Sequence, residues 1–182
     1  DIYKELVTLI STSRQGFARK ELEKKAKLTG KGGRLTQRLS DLEACGFISS
    51  YMPLWHTKRG TYYRISDEYC YFYLKWVDKA KYLVKQGYQA GYWQSQVASQ
   101  VYKSWAGYAF ENICYKHLSV IRKALHLPEG SLGSSWRYSP IKNDVQEGAQ
   151  IDLLFLHPDK NVITLCEIKN TDEPYLLSRI DY

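Results

Sequence analysis

The sequence predicts an α+β fold built from more than one unit, and three observations carry that expectation. Apolar residues recur at helical spacing through the first third of the chain. In the last third they run as strands separated by turn residues. Charge is divided between these parts: residues 1–65 hold 13 Lys and Arg against 6 Asp and Glu, residues 66–125 hold 8 against 4, and residues 126–182 hold 5 against 9. The net charge of +7 over 182 residues is therefore an average of a basic first third and an acidic last third. The organisation read from this is residues 1–65, a helical connector over 66–103, and a final unit over 104–182.

In the first unit Ile2, Leu6, Leu9 and Ile10 lie at helical spacing, as do Ala18, Leu22 and Ala26 after a break at Gly16. Leu35, Leu39 and Leu42 mark a third apolar stripe, which Gly46 can end. Gly30-Lys31-Gly32-Gly33 reads as the turn into this helix, because no strand precedes it and GxxxxGK[ST] is absent. Phe47–Tyr51 reads as a strand, Pro53–Gly60 as a loop and Thr61–Ile65 as a returning strand. Three short helices followed by a two-stranded ribbon is a winged helix-turn-helix plan. Its third helix would present Arg34, Gln37 and Arg38 outward, with Lys31 just before it and Lys58 and Arg59 at the wing tip. Arg and Gln can reach base edges, and Lys and Arg can neutralise phosphates, so DNA is the expected partner. Winged helices also dock proteins, and a charged helix face can equally be a solvated surface.

In the connector Ser66 can cap a helix, with Asp67 and Glu68 in its first turn. Tyr69–Val77 then reads as a mostly buried helix, and Gly87 and Gly91 break the basic, aromatic stretch that follows. The chain has 16 tyrosines, most of them between Tyr62 and Tyr115. Aromatics beside lysines can stack on bases, but packing between helices is the favoured reading. A helical pattern runs from about Ser95 to His126. Phe110, Ile113, Cys114, His117 and Ile121 share one of its faces, with Glu111 at the margin and Gly107 one turn earlier.

Three strands follow, near Ser134–Pro140, at Ala149–His157 and at Asn161–Lys169, with His157–Asn161 as a hairpin turn. The third strand begins apolar on both faces and is expected to be central and buried. Asp152 lies inside the apolar run Ile151–Leu156. Burying a carboxylate requires a partner or a metal. Glu-x-Lys occurs twice, at Glu23-Lys24-Lys25 on a surface helix and at Glu167-Ile168-Lys169 at the end of a strand; the second is paired by a hairpin to the strand holding Asp152 and follows the helix with Glu111.

No apolar run approaches the ~18 residues of a membrane span, and no signal peptide is visible. Cys45, Cys70, Cys114 and Cys166 form no CxxC pair and read as buried, reduced thiols of a cytoplasmic protein. The first residue is Asp1, so the chain is read as a piece of a longer protein.

A helix glutamate, a strand aspartate and a strand Glu-x-Lys, in that order, resemble the PD-(D/E)xK nuclease superfamily. More closely, Ser66–Val77 (SDEYCYFYLKWV), Ser104–Cys114 (SWAGYAFENIC), Ser135–Pro140 (SWRYSP), Gly148–Leu154 (GAQIDLL) and Leu165–Asn170 (LCEIKN) look like the C-terminal region of archaeal-type AAA+ ATPases. There an ATPase domain precedes a winged helix and a restriction-endonuclease-like domain. The resemblance covers essentially the whole chain. It departs in lacking the ATPase portion and in stopping soon after a last helix expected from Glu173, which truncates the final domain.

The resemblance implies a metal-dependent nuclease acting on DNA, with the ATPase domain as its own partner, ATP bound only in that missing domain, and oligomerisation left open. Asp152 and Glu167 would hold Mg²⁺ or Mn²⁺, with the Ile168 carbonyl, and Glu111 would join directly or through water. Lys169 would orient the attacking water or stabilise the charged phosphorane. This requires Asp152 to stand opposite Leu165 or Glu167 across the hairpin; a register opposite Cys166 would defeat it. The other reading is a non-catalytic DNA-binding or protein-interaction, regulatory module on a degenerate nuclease fold.

Overall fold

Leu6, Val7 and Ile10 form one apolar stripe of helix α1 (Ile2–Ser11), and all three are buried. Leu22 buries helix α2 (Arg19–Lys25), and Leu35, Leu39 and Leu42 bury helix α3 (Gly32–Ala44). The structure is a computed structural model that describes residues 2–26, 32–54, 60–87, 91–138 and 147–176. Gly32 and Gly33, expected in the turn, already belong to α3. The first helical turn needs no amide partners from its own helix, so glycine is tolerated there. Helix α3 ends as its sequence suggests. Gly46 takes φ 77°, its amide donates to the Glu43 carbonyl, and the Phe47 amide donates to the Leu42 carbonyl, each at 3.0 Å.

The antiparallel pair β2 (Ile48–Tyr51) and β3 (Tyr62–Ile65) follows, in register Ile48↔Ile65 through Tyr51↔Tyr62. A third short strand, β1 (Phe17–Ala18), joins the other edge of β3, giving the order β1-β3-β2. It has only two residues, too few for an alternation signal. Gly16 makes it feasible: φ is 71°, and a Cβ there would lie 1.8 Å from the Tyr63 carbonyl oxygen.

The next helix is capped by Asp67, not Ser66. The Asp67 carboxylate accepts from the Cys70 amide, whereas the Ser66 hydroxyl donates to the Gly46 carbonyl at 2.8 Å. A charged cap also gains from the helix dipole. Helix α4 (Glu68–Phe72) runs through a π-helical turn, Tyr73–Val77, into α5 (Asp78–Lys85). This segment is less buried than expected: Tyr71 and Trp76 are inside, but Tyr69 is 71% exposed. Trp93, on α6 (Tyr92–Val97), meets Phe72 and Trp76 edge-on, with ring centroids 5.4 and 6.0 Å apart. These contacts between helices are made by phenylalanine and tryptophan rings, not by tyrosines.

The chain divides into two compact units, Asp1–Ser95 and Gln96–Tyr182. In the second, the single long helix of the sequence reading is broken. Helix α7 (Gln100–Lys116), capped by Ser99, stops at His117, where φ −111° and ψ 27° interrupt the spiral before α8 (Leu118–Ala124). The buried positions of α7 are also not the apolar ones. Glu111 and Asn112 are buried, while Phe110 and Ile113 are each 38% exposed.

The sheet of this unit has the order β4-β5-β6, with β4 at Leu132–Tyr138, β5 at Ala149–His157 and β6 at Val162–Cys166. Strand β5, not β6, is central. Hydrogen-bonded on both edges, it buries Asp152, Leu153, Leu154, Phe155 and His157. Strand β6 has one partner strand among the described residues, and its Val162, Ile163 and Leu165 are exposed. Gly133 of β4 lies under the Phe155 ring, 2.8 Å from where its Cβ would be. The hairpin turns through Pro158–Lys160, with Asn161 in the left-handed region at φ 51°. Buried His157 is satisfied on both nitrogens. The Ser131 hydroxyl donates to the Pro128 carbonyl, so His157 Nδ1–H donates to Ser131 Oγ (2.6 Å) and the Thr164 hydroxyl donates to Nε2 (2.8 Å).

The helix expected from Glu173 does not begin within the described residues, which reach Leu176 without helical structure; 177–182 lie outside them. The four cysteines are free thiols, but Cys45 is exposed and the other three are half-buried, so their expected deep burial does not hold. Burial raises the thiol pKa of Cys70, Cys114 and Cys166.

Candidate functional site

A β-bulge organises this site. On β4, Ser134 pairs with Leu154 and Trp136 with Ile151, so two β5 residues, Asp152 and Leu153, stand against the single residue Ser135. A bulge takes a residue out of the ladder and re-aims its side chain. The apolar run Ile151–Leu156, on which the sequence reading rests, carries no mark of it. On the other side of β5 the pairing is regular and ends at Leu153↔Cys166. Continued by one position, that register puts Asp152 opposite Glu167, not Cys166.

Chain geometry past the ladder then brings the groups together. Asp152 is 5% exposed, and its Oδ2 accepts from the Ile168 amide at 3.3 Å. Ile168 is the middle residue of Glu167-Ile168-Lys169, so the buried carboxylate sits against the centre of that segment. These three residues lie beyond β6, which stops at Cys166. Lys169 Nζ donates to Glu167 Oε1 at 2.7 Å, with both side chains part-exposed. The ammonium also lies 5.5 Å from the Tyr175 ring centroid. The lysine pKa is raised, first by its bond to Glu167, with smaller contributions from the charge of Glu167, from Tyr175 and from Asp152.

Glu111 reaches the interior from α7, 7% exposed, and its charge adds to burial in raising the Cys114 pKa. One turn later on the same helix, the Tyr115 hydroxyl donates to the Asp152 main-chain carbonyl at 2.5 Å. Tyr115 escaped the sequence reading because a helical tyrosine carries no distinguishing spacing; Tyr175 escaped it for a similar reason.

The donor chemistry of Asp152 and Glu167 suits Mg²⁺ or Mn²⁺, which are held by one or two carboxylates with waters completing the shell. Glu111 is not gathered with them: among the described residues, no three His, Cys, Asp or Glu side chains form a group that could hold a metal ion.

In the first unit Arg34 and Gln37 of α3 are exposed and Arg38 is half-exposed. Gln37 is engaged, its Nε2 donating to Asp41 Oδ1 at 2.9 Å, while the Tyr3 hydroxyl donates to Asp41 Oδ2 at 2.7 Å. Both bonds hold the Asp41 carboxyl below the usual range. Arg19 Nη2 donates to Thr36 Oγ1 at 3.0 Å, placing a further cation beside α3. Lys31, Lys58 and Arg59 lie outside the described residues.

Residues 73–179, more than half of the chain, match the model of a family described as archaeal and bacterial proteins of unknown function, DUF234. The chain belongs to the DUF234 family. The region matched by that family contains Glu111, Tyr115, Asp152, Glu167, Lys169 and Tyr175 and excludes α3. No curated protein and no solved structure matches the chain. Among the described residues, no helix is long and apolar enough to cross a membrane.

Proposed function

We propose that this chain is the C-terminal part of an ATPase-linked, metal-dependent nuclease. Residues 104–182 would form a restriction-endonuclease-like domain that acts on DNA phosphodiesters, and residues 1–65 a winged helix that docks DNA. One observation carries the nuclease reading: the buried Asp152 carboxylate bonds the amide between Glu167 and Lys169. A carboxylate from β5 then lies against the short stretch of chain that carries Glu167 and the Lys169 ammonium. A bound divalent ion supplies charge neutralisation and a water of lowered pKa. Asp152 and Glu167 would hold the ion, and Lys169 would place its proton-bearing ammonium beside the scissile phosphate and stabilise its developing charge. For docking, the order of α1, β1, α2, α3, β2 and β3 and the β1-β3-β2 sheet support a winged helix, with Arg34 and Arg38 one turn apart on α3.

A second reading, a non-catalytic binding or regulatory module, is favoured by the Lys169–Glu167 pair. An ion pair closed on itself at 2.7 Å is what a degenerate, metal-free cluster would keep.

Cleavage of several DNA forms by the full-length protein with Mg²⁺ or Mn²⁺ separates the two readings. Activity that disappears in Asp152→Ala and Lys169→Ala supports the nuclease. Activity unchanged in both variants, or DNA binding with no cleavage under any condition, rejects it.

A further inference from the structure

We propose that Tyr115 is a positioning residue of this site. It clamps the β5 bulge, and through the bulge it sets the aim of the Asp152 carboxylate; this rests on the reading of Asp152 as a metal ligand. The bulge sets Asp152 and Leu153 against one β4 residue, and a buried carbonyl displaced from a ladder needs a donor from elsewhere. For Asp152 the Tyr115 hydroxyl is such a donor, at 2.5 Å, from a helix rather than from a strand. The contact therefore ties α7 to β5 at a residue whose side chain reaches the Glu167-Ile168-Lys169 segment. Tyr115 also lies four residues after Glu111, one turn along the same face of α7. One phenol thus governs the angle at which Asp152 leaves the sheet. A groove-lining or purely packing tyrosine would need the ring alone; this role needs the hydroxyl.

The test is Mn²⁺ binding to the full chain, followed by the electron spin resonance of free Mn²⁺, for wild type, Tyr115→Phe, Asp152→Asn and the double variant. Groups that orient a ligand change metal affinity by roughly 10–100-fold. Tyr115→Phe is expected to weaken Mn²⁺ binding about tenfold, and Asp152→Asn to abolish the site. In the Asp152→Asn background the phenylalanine should add nothing. A tyrosine that served stability alone would lower the melting temperature and leave Mn²⁺ affinity where it was.

Equal affinity in wild type and Tyr115→Phe, with binding still lost in Asp152→Asn, overturns the positioning role and leaves the metal site standing. Absence of any Asp152-dependent Mn²⁺ binding in wild type overturns both. If Tyr115→Phe does not fold cooperatively, ring-labelled tyrosine in wild type reads the same contact during titration with diamagnetic Mg²⁺. A Tyr115 resonance that moves with occupancy supports the clamp, and one that stays fixed while the site fills overturns it.

Discussion

Gly107→Ala offers a sharp test of how helix α7 is built. Gly107 lies inside a helix of 17 residues, where glycine costs about 0.8–1 kcal/mol relative to alanine. Tight packing is the usual reason to keep such a glycine, yet among the described residues a Cβ at this position would meet nothing within 4 Å. The substitution therefore adds no clash and should stabilise the protein by about 0.5–1 kcal/mol. For a unit the size of Gln96–Tyr182, each kcal/mol moves the melting temperature by roughly 4–8 °C. A rise of about 2–8 °C should therefore appear in a calorimetric scan. Gly107 is also one turn before Glu111 on the same helix. If nucleic acid enters there, the more stable variant should cleave or bind DNA less well. A fall in melting temperature would refute the reasoning, because it would mean that something packs where the structure has open space.

Three further outcomes are expected. Gly16→Ala should cost about 2–4 kcal/mol in urea unfolding, from the left-handed backbone and the 1.8 Å approach to the Tyr63 carbonyl; an unchanged midpoint would deny the close β1–β3 contact. Lys169→Gln should abolish cleavage yet tighten Mn²⁺ binding, since it frees Glu167 from a 2.7 Å ion pair; weaker binding would place the lysine elsewhere. The Asp41 carboxyl is depressed by its bonds to Tyr3 and Gln37. Its contribution is therefore present above the ordinary carboxylate pKa and lost as pH falls through the lowered value. Wild type and Tyr3→Phe should accordingly differ in stability near neutrality and converge in acid; a gap that persists in strong acid would assign the Tyr3 contribution to packing.

Elements were legible in the sequence where short-range pattern controls them. The apolar stripes of α1 and α3, the glycine stop at Gly46 and the limits of β5 follow from residues within a few positions of one another. What depended on distant partners was read less well. Two-residue β1 exists because Gly16 lets it reach β3, the π-helical turn at Tyr73–Val77 carries no periodic signature, and the apolar Val162, Ile163 and Leu165 of β6 are exposed. The candidate site divides in the same way. Asp152 stood out as a charge inside an apolar run, and Glu167-Ile168-Lys169 as an acid–base pair at a strand end.

By itself, the sequence determined which chemistry is available: a basic first third, an acidic last third, hard oxygen donors and one lysine near them. Only the tertiary structure decided how that chemistry is aimed. The bulge at Asp152–Leu153, the hydrogen bond from Tyr115 to the Asp152 carbonyl and the burial of Glu111 and Asn112 on an otherwise part-exposed helix each depend on which segment pairs with which. A one-residue offset between strands changes the direction of a side chain without changing a single local preference, so no reading of neighbouring residues contains it.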